Sequence, residues 1–341
     1  MMKKIKIGQI GIGHNHGEPK MQAVRKFPEL FEVIGYAEEN GRWVEKRGEN
    51  DGYRGLERMS VEALIANCDA LLIESDVWDL TKYARMCVDA GKHIHMDKPA
   101  SGTLEEYKYV LDTAKAKNLV VQLGYMYRYN PAVQKCLEMV RSGALGTVYS
   151  INAEMSTFHP VDYKKWLTNF GGGIMYILGS HLVDLIVYMM GEPERITPYL
   201  KRTGMDGVDF EDNNLAVLEY GSALARIYVS SVEVNGFGRR QLMVSGSRGT
   251  VNICPLERPI TMTYSDTSIT NQTYEDVKVT VPFEDHTALG RYDEMMRDFY
   301  DYIMGAKENP FTYEHDYLVQ KVLSEIVGGI RFHGTSIEHV N

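Results

Sequence analysis

Hydrophobic positions divide the chain into two stretches with different periodicities. Up to about residue 124, short continuous apolar runs alternate with segments whose apolar residues recur at helical spacing. The runs Lys4–Ile10, Glu32–Ala37, Ala70–Glu74, His93–Met96 and Val120–Leu123 predict strands. Pro19–Lys26, Ser60–Ala66, Leu80–Ala90 and Leu104–Lys117 predict the helices between them, with Gly91 as the C-cap of the third. Strands that are apolar throughout suit a sheet covered on both faces, and strand–helix alternation implies right-handed crossovers. Residues 1–124 therefore read as one doubly wound α/β domain.

After Tyr125 the pattern changes. One helix, Ile174–Met189, precedes the strand patterns Leu215–Glu219, Ala223–Val229, Gln241–Gly246 and Thr250–Ile253. Turn residues such as Gly221-Ser222 and Ser247-Arg248-Gly249 separate them at hairpin spacing, which predicts antiparallel sheet. Helices at Leu289–Met304 and His315–Gly328 close a second domain spanning 125–341.

Composition narrows the function classes. The net charge of -9, with no long basic cluster, gives no incentive for binding nucleic acid. No run reaches the roughly 18–20 apolar residues a membrane span needs, and glycines interrupt the apolar N-terminus before it can act as an export signal. The four cysteines, Cys68, Cys87, Cys136 and Cys254, are scattered without metal or disulfide spacing. A soluble chain in the reducing cytoplasm is expected.

Two segments carry candidate chemistry. The turn after the first strand reads Gly8-Gln9-Ile10-Gly11-Ile12-Gly13-His14-Asn15-His16-Gly17, in which Gly11 and Gly13 fit the first two glycines of the Rossmann dinucleotide fingerprint. His16 holds the third glycine's place and Gly17 comes one residue late, so looser helix–strand packing is expected. The helix start would still favour a pyrophosphate over the backbone of Gly11, Ile12, Gly13, His14, Asn15 and His16. Glu38, at the end of the second strand, suits the ribose hydroxyls and repels a 2′-phosphate, which favours NAD over NADP, although Arg42 lies close by. Glu74, which ends the third strand, Ser75 just after it, Asp97 and Lys98 would border the same ligand.

The His14–His16 spacing invites a metal reading. No carboxylate or cysteine follows at ligand spacing, so no metal is expected, and the rings are read as capping the helix or bordering the nicotinamide. Asp97-Lys98-Pro99 places a lysine at the end of a parallel strand, where ligands bind in open α/β sheets. Beside a cationic nicotinamide its proton affinity would fall, fitting it to hold and relay a hydroxyl proton.

With these segments, GYMYRYNPAV at 124–133 and GGGIMYILGSHLVDLI at 171–186, the chain resembles the Gfo/Idh/MocA oxidoreductases over nearly its whole length. The resemblance implies a Rossmann domain followed by an α/β domain with a large, mainly antiparallel sheet, which binds substrate and makes homodimer or homotetramer contacts. It implies Lys98 as the active-site lysine, often before a cis proline, and sugars, inositols or related polyols as substrates. Many members carry an aspartate and a histidine in the motif after the glycine run; here Ile177 replaces the aspartate and His181 remains, as proton carrier or as a core histidine. One helical turn separates the two positions. Another acid or phenol would then assist, with Tyr176, His159 and Asp184 as candidates; Asp184 is alternatively a helix-surface or domain-contact residue. Arg128 is expected to shape the substrate cleft, and Trp166 to offer a sugar ring a face or to lie in the core. Because Ile177 breaks the pattern, a glycosidase that recycles its NAD and a dinucleotide-binding sensor stay open beside the dehydrogenase reading.

Overall fold

The computed structural model describes residues 3–270, 273–283 and 292–332. Of these, the residues within Met1–Met126 and His286–Tyr317 form one compact unit, and those within Tyr127–Asp285 and Leu318–Asn341 a second. The first unit thus includes a return from late in the chain that a boundary near residue 124 leaves out.

The first unit runs β1 (Ile5–Ile10), α1 (Gly17–Arg25), β2 (Phe31–Ala37), α2 (Gly41–Arg47), α3 (Val61–Asn67), β3 (Ala70–Ile73), α4 (Leu80–Asp89), β4 (His93–Met96), α5 (Leu104–Ala116) and β5 (Val121–Leu123). Its five strands lie in the order β2-β1-β3-β4-β5 with every pairing parallel. The continuous apolar run of β3 is buried at all four positions, as a strand covered on both faces requires. Helix α4 stops where expected, with Gly91 at φ +74° just beyond its end. Helix α5 starts on a capping box made by Thr103 and Glu106. From the returning segment, the helix Asp293–Met304 joins this unit: Gln122 donates to the Met295 carbonyl, and Lys26 pairs with Asp293. Of the predicted helix Leu289–Met304, residues 289–291 lie outside the described residues.

Between β1 and β3 the strand order reverses direction, and in open α/β sheets the ligand crevice lies outside the carboxyl ends of the strands at that point. The glycine-rich turn follows β1, and Glu74-Ser75 follow β3. Sheet order alone therefore puts these two segments side by side.

The second unit contains α6 (Pro131–Arg141), β6 (Val148–Glu154), α7 (Val161–Leu167), a π-helix at Met175–Gly179, α8 (Ser180–Met190) and seven more strands. These are β7 (Arg195–Lys201), β8 (Asn213–Tyr220), β9 (Ala223–Ser230), β10 (Gln241–Gly246), β11 (Gly249–Ile253), β12 (Met262–Asp266) and β13 (Val279–Val281). They form an eight-stranded sheet, β13-β12-β11-β10-β6-β9-β8-β7, antiparallel except where β6 runs parallel to β9. One face packs inward through Ala216, Leu218, Ala225, Ile227, Leu242 and Val244. The predicted helix Ile174–Met189 is divided: its first turn is π rather than α, and α8 begins at Ser180. The simple one-turn relation between Ile177 and His181 is replaced by a widened turn, a geometry frequent at functional sites.

Candidate functional site

At the turn after β1, Gly11 adopts φ +85°, and a Cβ there would stand 2.3 Å from the backbone N and Cα of Ser75. Only glycine permits both the conformation and the approach. Gly11→Ala is expected to destabilise the first unit by about 3 kcal/mol or more, through strained backbone and a clash that cannot relax. Thermal unfolding measures this, and a melting point within 1–2 °C or so of wild type would contradict it.

Gly17 corrects the expectation of loose packing. A Cβ on it would lie 2.9 Å from Gln9 Nε2 and Tyr53 Oη. It serves the third glycine's role one residue late, letting α1 close onto β1. Glu38 accepts the Ile12 N–H at 2.8 Å, and burial raises its carboxyl above its ordinary value. Arg47 reaches back from α2 to the carbonyls of Ile12 and His14 and to Asn15 Oδ1. Trp43, which the sequence reading missed, lies against Gly13, with its Nε1 donating to Asp76. Gly11 in the left-handed region, a glycine at 13 and an acid at the end of β2 are the parts a dinucleotide needs from this turn. The residues present fit NAD(P).

Beneath the turn lies a buried cluster of charge. Lys20 has no exposed surface; it donates to Glu74 Oε1 at 2.7 Å and to Asp97 Oδ2 at 3.0 Å. His14 Nδ1 and His16 Nδ1 each lie 2.9 Å from that same Asp97 oxygen, and Oδ1 accepts the Lys98 N–H. Although burial opposes ionisation, His14, Lys20 and His16 hold the Asp97 carboxyl well below its usual range. Burial outweighs Lys20 at Glu74, whose carboxyl is pushed well above its ordinary value. Burial also outweighs Asp97 at His16, taking it down to about 3, so its imidazole is neutral. The expectation that the two rings cap the helix is not met by His16: it occupies the N-cap position without a side-chain cap bond. Lys20 carried a sequence signal that went unused, a charged residue on the buried face of α1 beside Met21, Ala23 and Val24.

Lys98 follows β4 and is 3% exposed, and the Lys98–Pro99 peptide is cis. It stands next in the chain to Asp97, at the carboxyl end of a strand two places from β1.

In the second unit, His181 sits in the first turn of α8, buried, with the Tyr127 ring edge-on at 5.0 Å between centroids. Tyr127 bonds to Glu257, which also pairs with Arg240 at 2.6 Å. This phenol, in the 124–133 segment, is the partner that sequence reasoning did not choose. Asp184 is no surface residue: it is 1% exposed and accepts from Arg128 Nε and Nη2, the latter at 2.6 Å. Arg128, expected to shape a substrate cleft, is correspondingly buried and directed at Asp184. Tyr176, another candidate, is buried between Phe170, stacked at 5.7 Å, and Phe332. Arg128 and Tyr176 thus both lie buried in the interior of this unit, the first held by a carboxylate and the second among aromatic rings. His159 and Trp166 lie together on an aromatic row with Tyr163, which stacks on His159 at 4.4 Å and tilts against Trp166 at 5.1 Å. Burial pushes the His159 imidazole down to about 4, with Arg240 and Lys164 adding to it.

No described helix is long and apolar enough to cross a membrane. Residues 5–125 match the oxidoreductase family with an NAD-binding Rossmann fold, and residues 133–252 match the GFO/IDH/MocA C-terminal domain. The chain belongs to the Gfo/Idh/MocA family of NAD(P)-dependent oxidoreductases. It is similar to an uncharacterized oxidoreductase of Schizosaccharomyces pombe, 24% identical over 73% of this chain and 70% of the relative. A scyllo-inositol 2-dehydrogenase (NADP(+)) of Bacillus subtilis is 24% identical over 44% of this chain and 42% of that enzyme. The structure of UDP-N-acetylglucosamine 3-dehydrogenase from Acidithiobacillus ferrooxidans shares the fold, with a TM-score of 0.78 at 19% identity, covering 95% of this chain and 97% of that one.

Proposed function

We propose that the chain catalyses reversible hydride transfer between a nicotinamide dinucleotide, NAD in preference to NADP, and a CH–OH group of a sugar, inositol or related polyol. The observation that carries this reading is Lys98, a lysine nearly closed off from solvent at the carboxyl end of β4, next to the acid that ties this strand end to the dinucleotide turn. When bound, the nicotinamide supplies the hydride acceptor or donor. Lys98 hydrogen-bonds the reacting oxygen and steadies the charge that builds on it as the C–H bond breaks. His181 takes the hydroxyl proton in oxidation and returns it in reduction, with Tyr127 fixing the imidazole ring. His159 and Trp166 offer polar and flat apolar surface suited to a sugar ring. The inositol and UDP-sugar dehydrogenases among the similar proteins support the substrate class.

An absorbance screen at the reduced-nicotinamide band against sugars, inositols and sugar acids tests the reading. Turnover on any of them supports it. Tight NAD binding with no turnover across the panel favours the recycled-cofactor glycosidase or a ligand sensor, and binding of neither nucleotide overturns it.

Cofactor preference rests on Glu38. Its carboxylate stands at the end of β2, already bonded to the glycine-rich turn, in position to accept from ribose hydroxyls and to repel a 2′-phosphate. A hydrogen bond to a charged group contributes roughly 1.5–3 kcal/mol. Glu38→Ser is therefore expected to lower the NAD-to-NADP ratio of kcat/KM by about tenfold or more; an unchanged ratio would remove Glu38 from cofactor choice. The sheet's outer face, where register aligns Tyr199, Leu215 and Tyr228, is the proposed contact of a homodimer or homotetramer. Light scattering reads the mass directly, and a monomer at micromolar concentration would sink that assignment.

A further inference from the structure

Hydride transfer as proposed draws on the backbone of the glycine-rich turn and gives the imidazoles of His14 and His16 no step of their own. The Nδ1 atoms of His14 and His16 converge on one oxygen, Asp97 Oδ2, each at 2.9 Å, and Lys20 Nζ lies 3.0 Å from the same atom. Three nitrogens thus face an oxygen with two lone pairs. His14 Nδ1 also accepts the His16 N–H at 3.3 Å, which needs a lone pair on that nitrogen, whereas a hydrogen bond to Asp97 needs a proton there. Hydrogen bonding alone does not satisfy both demands.

A second observation points to the same place. Glu74 Oε2, on a side chain with no exposed surface, has no hydrogen-bond partner among the described residues and lies 3.8 Å from His14 Nδ1. Lys20 binds only the other oxygen of that carboxylate, at 2.7 Å. A buried carboxylate oxygen left unmatched is costly unless positive charge or a donor reaches it.

We propose that His14, His16 and Asp97, with Glu74 as a fourth donor, form a binding site for one first-row divalent cation of the zinc class. Two imidazoles and carboxylate oxygen make a donor set that suits Zn²⁺, Co²⁺ or Fe²⁺, with no thiolate to select softer ions. Tetrahedral bonds of about 2.0–2.1 Å keep ligand atoms roughly 3.3 Å apart. The 2.9 Å contacts at Asp97 need only a few tenths of an ångström of widening. Lys20 stays with Glu74 Oε1, and its ammonium moderates the affinity while the two carboxylates offset most of the combined positive charge. The side chains of His14 and His16 are 11% and 24% exposed, which gives the ion an entry path. Once bound, the cation ties the dinucleotide turn to the strand end that carries Lys98. The sequence showed only the histidine pair, because the carboxylate that completes the set lies 81 residues further on.

The test uses full-length protein, stripped with a chelator and titrated with Co²⁺ and then Zn²⁺, with no nucleotide or substrate present. Its failure is therefore distinct from failure of the hydride-transfer reading. One equivalent of Co²⁺ by elemental analysis, with the intense visible absorption of a four- or five-coordinate site that Zn²⁺ abolishes, is the expected result. His14→Ala and His16→Ala should each weaken binding by at least about tenfold, the lower end of what even outer-shell substitutions cost. Uptake well below one equivalent with only the weak spectrum of hydrated Co²⁺ overturns the proposal, and so does affinity unchanged in both variants. Should either variant fail to fold, the wild-type stoichiometry and spectrum decide alone.

Discussion

Lys98→Ala is expected to abolish measurable turnover while leaving nucleotide affinity within a few-fold of wild type. The side chain ends a strand of the dinucleotide unit, but the contacts that define the cofactor turn belong to Gly11, Gly13, Glu38 and Ser75. Nucleotide binding therefore survives its removal. The reacting oxygen, by contrast, loses the group that stabilises its developing charge. A positioned acid–base group contributes typically about 10²–10⁴-fold, and a lost charge-stabilising donor about 10²–10³-fold in kcat. A fall of at least about a hundredfold in kcat is thus the minimum expected. Lys98→Arg separates the two contributions: it keeps the positive charge but not a readily exchanged proton or the compact ammonium geometry, so activity should stay at least tenfold or so below wild type. Steady-state kinetics at the reduced-nicotinamide band, paired with fluorescence titration of the nucleotide, read both quantities. Turnover within a few-fold of wild type in Lys98→Ala would remove this lysine from the chemistry and with it the observation on which the functional reading rests.

How much of this was legible depended on distance along the chain. The strand β3 and the helix stop at Gly91 are local signals, since four consecutive buried apolar residues and one glycine suffice to write them. The dinucleotide turn is local too, apart from the role of Gly17, which a strict fingerprint spacing assigns to position 16. The second unit was harder. Strands β6, β7, β12 and β13 escaped the reading because three of them, β7, β12 and β13, lie at or next to the sheet's edges, with few fully buried positions and a weak alternation. β6 is central, but only Ile151 and Ala153 of its residues are fully buried, too short an alternation to stand out. The candidate site failed in the same way. Asp97 was identified through its neighbour Lys98, yet its convergence with His14, His16 and Lys20 depends on β1, β3 and β4 lying side by side, and no local window contains that fact. Tyr127 beside His181 and Asp184 beside Arg128 are equally non-local, each joining a residue near position 128 to one in α8.

The Arg128–Asp184 pair bears the second large expectation. Both side chains are 1% exposed, and the guanidinium meets the carboxylate through Nε and Nη2, the fork geometry that makes such pairs strong. Removing one partner takes away the opposite charge that the other meets in the interior, and breaking a buried pair typically costs about 3–5 kcal/mol. Arg128→Met should therefore lower the thermal midpoint of the second unit by on the order of 10 °C. Replacing both, as Arg128→Met with Asp184→Leu, removes both charges together and should recover most of that loss, because a buried ion pair exchanged for apolar side chains of similar volume is often neutral or better. The family resemblance suggested instead that Arg128 shapes the substrate cleft, and the same variants separate the two roles. A packing role predicts a large stability loss with KM unchanged in whatever fraction stays folded. A substrate contact predicts the reverse: Arg128→Met would keep near-wild-type stability while KM rises at least about tenfold, and restoring the charge balance at Asp184 would not bring KM back. With the Nε and Nη2 edge of the guanidinium already engaged by Asp184, the first outcome is the expected one.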